Sequence, residues 1–155
     1  MSNLAIPLSA GLFVPALFAA AWAVGASQTS DHAREARSLK AVCARCHNLQ
    51  IVMDTPKSYD AWHDTVQKMV DLGAKGTDGQ YDDIMDYLHR TITTIDVNSA
   101  DPGELEIVLN ASETVAQAIV ARRRTKRFTG LADLKSISGV DKSIVDSKAR
   151  LIFFN

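Results

Sequence analysis

Hydrophobic positions in the first half of the chain recur at helical spacing. Trp62, Val66 and Met69 stand at i, i+4 and i+7, which places them on one face of a helix. Ser58 precedes this stripe and Gly73 follows it, and these residue types are typical of a helix start and a helix stop. The pattern therefore predicts a helix between these two residues.

Two more helices are predicted on either side of this one. Thr77 followed by Gln80 is a capping box, and one-faced hydrophobic residues continue beyond it to Leu88. An earlier helix over about 31–43 leads into a cysteine motif. Strand-like alternation is absent from the sequence of 27–95, so this segment is predicted to be helical.

Residues 96–155 predict shorter helices. Asp101 and Pro102 have the residue types of an N-cap and a first helical position, and Ser112 can cap the next helix. A last helix is expected to end near Phe153. No sheet is predicted, so the expected fold class is all-α, with a domain boundary just before this segment.

Residues 1–26 have the features of an export leader. No charged side chain precedes Asp31, and residues 23–26 satisfy a signal-peptidase pattern. The start of the leader lacks Lys and Arg, however, and its apolar run approaches the roughly 20 residues that span a bilayer. A cleaved signal peptide and an uncleaved anchor both remain open. Either one predicts a periplasmic protein, anchored to the inner membrane only if the leader is retained.

The chain has only two cysteines, Cys43 and Cys46, and His47 follows them directly. C-x-x-C-H is the attachment signature of c-type haem: two thiols bond one edge of the ring and the imidazole ligates the iron. A thioredoxin-like pair would need a βαβ setting, and a structural zinc site would need four ligands. We therefore predict one covalent haem c, with His47 as an axial ligand.

The sixth iron ligand has several candidates, because Met or His is the usual partner of a proximal His. They are Met53, His63, Met69, Met85 and His89. The position of Met69 on the hydrophobic stripe is equally typical of a core residue. The residues alone leave this choice open.

Residues 43–95 resemble a family of small bacterial cytochrome c domains, similar to the haem domain of quinohaemoprotein amine dehydrogenases. In that family C-x-x-C-H precedes W-x-x-x-V-x-x-M, then G-A and then D-Y-L. The matching residues in this chain are Trp62, Val66, Met69, 73–74 and 86–88. The resemblance implies a small class-I-like helical domain over 27–95 with Met69 as the distal ligand, and it leaves His89 and Met85 in reserve.

Two axial ligands from the protein would leave no position on the iron for a substrate. This favours an electron-transfer protein that serves redox partner proteins over an enzyme, and no catalytic constellation is visible in the sequence. A haem sensor or small peroxidase is an alternative that would need an open iron position.

Residues 96–155 resemble the tandem helix-hairpin-helix module of competence DNA receptors (ComEA-type) and of an extrinsic photosystem II subunit. The matching stretches are 96–100, 104–105, 116–120, Phe128, Leu131, 133–134 and 139–140. Where a DNA-binding member has G-I-G, the first hairpin here has Asn-Ala-Ser at 110–112. In the second hairpin Asp141 brings a negative charge to the place of a phosphate. We therefore interpret both hairpins as structural.

A basic run follows the first hairpin and comprises Arg122, Arg123, Arg124, Lys126 and Arg127. Such a run can be a solvated helix end, a surface for an acidic redox partner or anionic lipid, or a DNA contact. The formal net charge of −1 argues against DNA binding through the overall field. We expect the module to dock the haem domain to a partner, and a DNA receptor carrying a haem is the alternative.

Overall fold

The computed structural model describes the backbone of residues 19–155 and the side chains of 29–155. Most of the predicted leader, residues 1–18, lies outside the described residues. Within residues 19–155, no helix is both long and apolar enough to cross a membrane. The helices are α1 Ala19–Cys43, α2 Gln50–Met53, α3 Tyr59–Asp71, α4 Asp78–Thr91, α5 Pro102–Leu109, α6 Glu113–Thr125, α7 Leu131–Lys135 and α8 Lys142–Ser147, and the strands are β1 Ile95–Asp96 and β2 Ile152–Phe153.

The described chain has two clusters of buried apolar side chains. One cluster, the first core, lies among α1, α3 and α4 and contains Leu39, Val42, Trp62, Ile84, Leu88 and Ile92. The other cluster, the second core, is formed by residues from Ile95 onward and includes the fully buried Phe128 and Leu134. The change from one cluster to the other comes between Ile92 and Ile95, just before the predicted boundary at 95/96, which stays a prediction.

Polar contacts fix α1 against α4. Asp83 accepts hydrogen bonds from Arg34 Nε at 2.9 Å and from Ser38 Oγ at 2.7 Å. Two turns further along α4, Arg90 pairs at 2.9 Å with Glu35, whose side chain is fully buried. These pairs set the position of α1 along α4, and α1 ends at the first cysteine of the motif.

The predicted caps are confirmed at three of four helices. Thr77 and Asp101 each form a complete capping box, and the Ser112 hydroxyl accepts from the backbone N–H of Val115 at 3.4 Å. Ser58 occupies the N-cap position of α3, but its side chain makes no capping hydrogen bond. That helix starts from backbone geometry and the packing of its apolar face.

Two expectations for the C-terminal segment were wrong. The last helix ends at Ser147 instead of near Phe153, and β1 and β2 pair in parallel. Ile95 N donates to Leu151 O at 2.8 Å, and Val97 N donates to Phe153 O at 3.1 Å. These bonds join the two ends of the segment, and two strands so short and so far apart in sequence carry no local signal.

Asn98 links the two halves of the C-terminal segment. Its amide nitrogen donates to Phe128 O and its amide oxygen accepts from Phe128 N, both at 2.9 Å. Asn98 thereby extends a strand-like pairing through a side chain over a separation of 30 residues. This contact gives Asn98 a structural role in the 96–100 stretch.

Candidate functional site: an apolar cavity beside the cysteine motif

The cysteine motif lies where α1 ends. Cys43 is the last residue of α1, and a turn carries the chain through residues 44–46 to His47. Cys43 and His47 are half-buried, whereas Cys46 is exposed, and both cysteines are free thiols. The helix end therefore presents the motif at the edge of the first core.

A cavity of about 390 Å³ opens beside this motif. Its volume is within the range of roughly 300–1,000 Å³ that is usual for small-molecule and cofactor sites. Most of its lining is apolar, and the lining residues are Leu39, Cys43, His47, Ile51, Val52, Thr55, Lys57, Trp62, Thr65, Val66, Met69, Ile84 and Leu88. The cavity thus brings Met69 of α3 together with Cys43, at the end of α1, and His47 of the following turn.

Of the five candidates for a second iron ligand, one lines the cavity. Met69 lines it together with His47, whereas the other four candidates do not line it. His63 and His89 instead form an aromatic cluster with Tyr59, whose ring stacks on His89 at a centroid distance of 3.8 Å. Met53 and Met85 pack against the first core. Met69 therefore remains the predicted ligand, as the only one of the five at this cavity.

The His47 ring has a partner for one of its nitrogens. Nδ1 lies 3.3 Å from the backbone oxygen of Asn48, to which it can donate when it carries the proton. A backbone carbonyl partner of this kind commonly fixes the tautomer of a metal-binding histidine. Nε2 would then be the nitrogen available to a metal.

Cys46 does not line the cavity itself. It lines an adjoining pocket of about 280 Å³ together with Val42, Arg45, 73–74 and Lys75. Both pockets border the turn at residues 43–47, so the two thiols face adjacent spaces. This is the one predicted haem residue that the structure leaves outside the main cavity.

Two alternatives for the cysteine pair, a redox-active dithiol and a structural zinc site, are not supported by the described residues. Burial raises the pKa of the Cys43 thiol, whereas a redox-active dithiol needs a lowered thiol pKa. Among the residues described, no group of three or more His, Cys, Asp or Glu side chains could hold a metal ion. A structural zinc site, which takes four ligands, is therefore not formed there.

The two hairpins of the C-terminal segment cap themselves. Asn110 ends α5 in a left-handed conformation, with φ 50°. The Ser143 hydroxyl and the backbone N–H groups of Ser143 at 2.8 Å and Ile144 at 3.3 Å donate to Asp141, and they lower the pKa of its carboxyl group. Asp141, like Ser112 at the first hairpin, therefore occupies backbone donors that a phosphate would use.

The first hairpin also faces the N-terminal helices. A cleft of about 600 Å³ is lined by Asn110 of that hairpin and by Asp31, His32 and Arg90 of α1 and α4. α5 and α8 complete the lining with Glu106, Ile107, Ile144 and Lys148. The cleft thus places α1 and α4 beside the first hairpin.

Three members of the basic run have contacts within the fold. Arg123 donates to Val97 O at 2.9 Å and to Ala100 O at 2.6 Å. Arg122 lies over the Phe128 ring, with its guanidinium carbon 5.3 Å from the centroid, and Arg127 donates to the backbone oxygen of the C-terminal residue. The run also lies at the end of α6 opposite to the first hairpin, roughly 20 Å away for a helix of 13 residues. The run and the hairpin therefore do not form one surface.

Sequence reasoning missed Lys57 and the threonines of the cavity lining. Lys57 precedes α3, lines the cavity, and places its ammonium 5.8 Å from the centroid of the Trp62 ring. The hydrophobic pattern gave no signal for it, because a lysine in a linker before a helix is ordinary surface. Its position at the cavity follows only from the way the linker folds.

Comparison with known proteins assigns part of the chain. Residues 90–152 match the family model of the helix-hairpin-helix motif. No curated protein and no solved structure matches the chain. The match confirms a mostly helical C-terminal part with a helix-hairpin-helix motif, and it begins at residue 90 instead of at the predicted 96. The chain therefore contains a helix-hairpin-helix motif behind its cysteine-containing helical segment.

Proposed function

We propose that this protein is an electron carrier with one covalent haem c. The observation that carries the proposal is the apolar cavity that Cys43, His47 and Met69 line together. Those three side chains supply a thiol for attachment and the imidazole and thioether of an axial pair. The comparisons match only the helix-hairpin-helix motif, so this proposal rests on the residues and on the cavity.

The residues of the cavity and of the adjoining pocket fit such a cofactor. Cys43 and Cys46 would hold it covalently, His47 Nε2 and the Met69 sulfur would be the axial ligands, and the apolar lining would exclude water. A bound haem would supply reversible one-electron chemistry at its iron, with a potential that depends on the axial ligands and on burial. The chain itself contributes the ligand set, the Nδ1 contact that orients His47, and the apolar environment.

Substitution of Met69 tests the ligand assignment. In a Met69→Ala holoprotein we expect the sulfur-to-iron charge-transfer band to disappear and the reduction potential to fall, because the thioether ligand is lost. Met85→Ala is the matched control, since Met85 packs against the first core but does not line the cavity. An unchanged ferric spectrum in Met69→Ala would exclude Met69 as the ligand. Carbon monoxide binding by the reduced wild-type protein would instead favour a sensor or peroxidase.

The attachment itself has a separate test. A Cys43→Ala/Cys46→Ala protein should carry no haem that survives denaturing electrophoresis, whereas the wild type should keep it. If the wild-type protein, produced with a haem-attachment system, carries no covalent haem, the proposed function is wrong.

Duplex DNA binding is the second candidate function, and the helix-hairpin-helix match favours it. Against it stand Ser112 at the first hairpin and the carboxylate of Asp141 at the second, which accept hydrogen bonds from backbone N–H groups that a phosphate would use. A DNA-binding module should bind a duplex with a steep salt dependence, because phosphate contacts release counterions. We expect no mobility shift at low salt. A shift that weakens with salt and is lost in Lys142→Ala, next to the second hairpin, would establish the DNA function.

A further inference from the structure

Three cations border the cysteine motif. Lys57 lines the main cavity, and Arg45 and Lys75 line the adjoining pocket. The linings of these two pockets include no Asp or Glu. None of the three cations makes an ion pair with a described residue. We name Arg45, Lys57 and Lys75 the cationic rim.

Exposed apolar side chains accompany the cationic rim. Ile51 lines the cavity and is 63% exposed, and Leu72 is 72% exposed and directly precedes the glycine of the adjoining pocket. These are two of the three large apolar side chains that are exposed among the described residues. An apolar centre with polar surroundings is the usual composition of a protein–protein interface.

None of the acids near the cationic rim in sequence forms an ion pair with it. Asp54 accepts a hydrogen bond from Gln50 at 2.7 Å, and Asp71 accepts one from Gln67 at 2.9 Å. Both carboxylates are thus held along their own helices. The linings of the two pockets therefore carry positive charge at the motif, although Asp60 and Asp78 lie nearby in sequence and the whole chain has a formal net charge of −1.

We propose that the cationic rim, with Ile51 and Leu72, is the surface on which an acidic one-electron redox protein docks. The proposal rests on the proposed haem function and replaces the basic run at 122–127 as the docking surface. A positive rim around the site of electron exchange steers an anionic partner to that site and disfavours cationic ones. Three members of the basic run have side-chain contacts within the fold, whereas in the rim only Lys57 has one, to the Trp62 ring.

Oxidation of the reduced holoprotein by ferricyanide tests the sign of this local field. One electron passes from the ferrous protein to the trivalent anion, which leaves ferric protein and ferrocyanide. We expect the second-order rate constant to fall about tenfold between roughly 0.01 M and 0.1 M ionic strength, because screening removes the attraction. With a tripositive cobalt complex as oxidant, the dependence should have the opposite sign. A rate constant with ferricyanide that rises with salt would mean that the net negative charge dominates, and it would overturn the proposal.

Charge reversal locates the effect on the chain. Lys57→Glu and Lys75→Glu should each lower the low-salt rate with ferricyanide severalfold, and the double variant should reverse the salt dependence. Arg150→Glu is the matched control, since it removes the same charge at an exposed position of the C-terminal part. If Arg124→Glu lowers the rate and the two rim variants do not, docking takes place at the basic run and the proposal is wrong.

A second measurement does not depend on electron transfer. Hexacyanochromate has the charge of ferricyanide but is redox-inert, and its paramagnetism broadens nearby amide resonances. We expect broadening at residues 45, 57 and 75 of the holoprotein, and its absence there would refute the rim. Absence of covalent haem would refute the proposed function instead, so the two failures are distinguishable.

Discussion

The second hairpin depends on a glycine that two independent constraints protect. Gly139 has φ +87°, a conformation that L side chains rarely adopt. A Cβ at this position would also lie 2.7 Å from Val115 Cγ2 of α6. The hairpin thus packs directly against the first turn of the helix that follows the other hairpin. We predict that Gly139→Ala strongly destabilises the helix-hairpin-helix part.

The expected magnitude follows from the two constraints. The left-handed conformation costs a non-glycine residue about 1–2 kcal/mol. A carbon–carbon contact of 2.7 Å is about 1 Å inside the optimal separation, and overpacking of this kind costs about 1–3 kcal/mol. Alanine recovers about 0.4–1 kcal/mol by restricting the unfolded chain. The free energy of unfolding should therefore fall by about 3 kcal/mol, within a range of about 1–4.5 kcal/mol.

Substitutions at two other glycines separate the backbone cost from the packing cost. The free energy of unfolding of each variant is measured by urea denaturation followed by circular dichroism. Gly73 has φ +102° but no atom within 4 Å of its would-be Cβ, so Gly73→Ala isolates the backbone cost of about 1 kcal/mol. Gly79 lies in α4 with open space around it, so Gly79→Ala should be neutral or stabilising. If Gly139→Ala costs no more than Gly73→Ala, the Val115 contact does not constrain the hairpin and the packing argument is wrong.

Two further predictions concern side chains of the C-terminal part. Arg123→Ala should lower the free energy of unfolding by about 1.5–3 kcal/mol, because two carbonyl oxygens in the 97–100 turn lose a charged donor. Arg124→Ala is the control, since Arg124 is exposed, and it should change the free energy of unfolding by less than about 0.5 kcal/mol. Burial lowers the pKa of Lys148 from 10.5 to about 8, so the unfolded chain binds more protons between these values and stability should rise with pH from about 8 to 10.5. Lys148→Met should abolish this rise in urea titrations at each pH, and an equal rise in the variant would show that the Lys148 ammonium, which donates to Val108 O, does not cause it.

The local part of the fold could be predicted from the sequence. The capping boxes at Thr77 and Asp101 and the left-handed Asn110 depend on neighbours within a few residues, so their signals are complete in short windows. The helix-hairpin-helix part was predicted from its signature, and the family match confirms it. The stop at Gly73 follows from the same kind of signal, since Gly73 has positive φ just after α3 ends.

Contacts between distant segments could not be predicted in this way. The β1–β2 pair joins residues 95–96 to 152–153 through backbone hydrogen bonds. No side-chain pattern in the sequence predicts these bonds. The choice among five candidate ligands likewise depends on which faces of α3 and α4 turn towards His47. Helical periodicity defines a face but does not say which cavity that face lines, so Met69 could be chosen only by resemblance.

The C-terminal part also supports the segment that leads into the candidate haem site. Thr94 N donates to Lys57 O at 2.8 Å, and the Tyr59 ring packs against the second core. These contacts fix both sides of Ser58, whose side chain makes no capping bond. Because α3 begins immediately afterwards and contains Met69, the helix-hairpin-helix part determines where the predicted distal ligand lies. A module with self-capped hairpins can therefore help to position α3 at the cavity, and this role requires no binding of DNA.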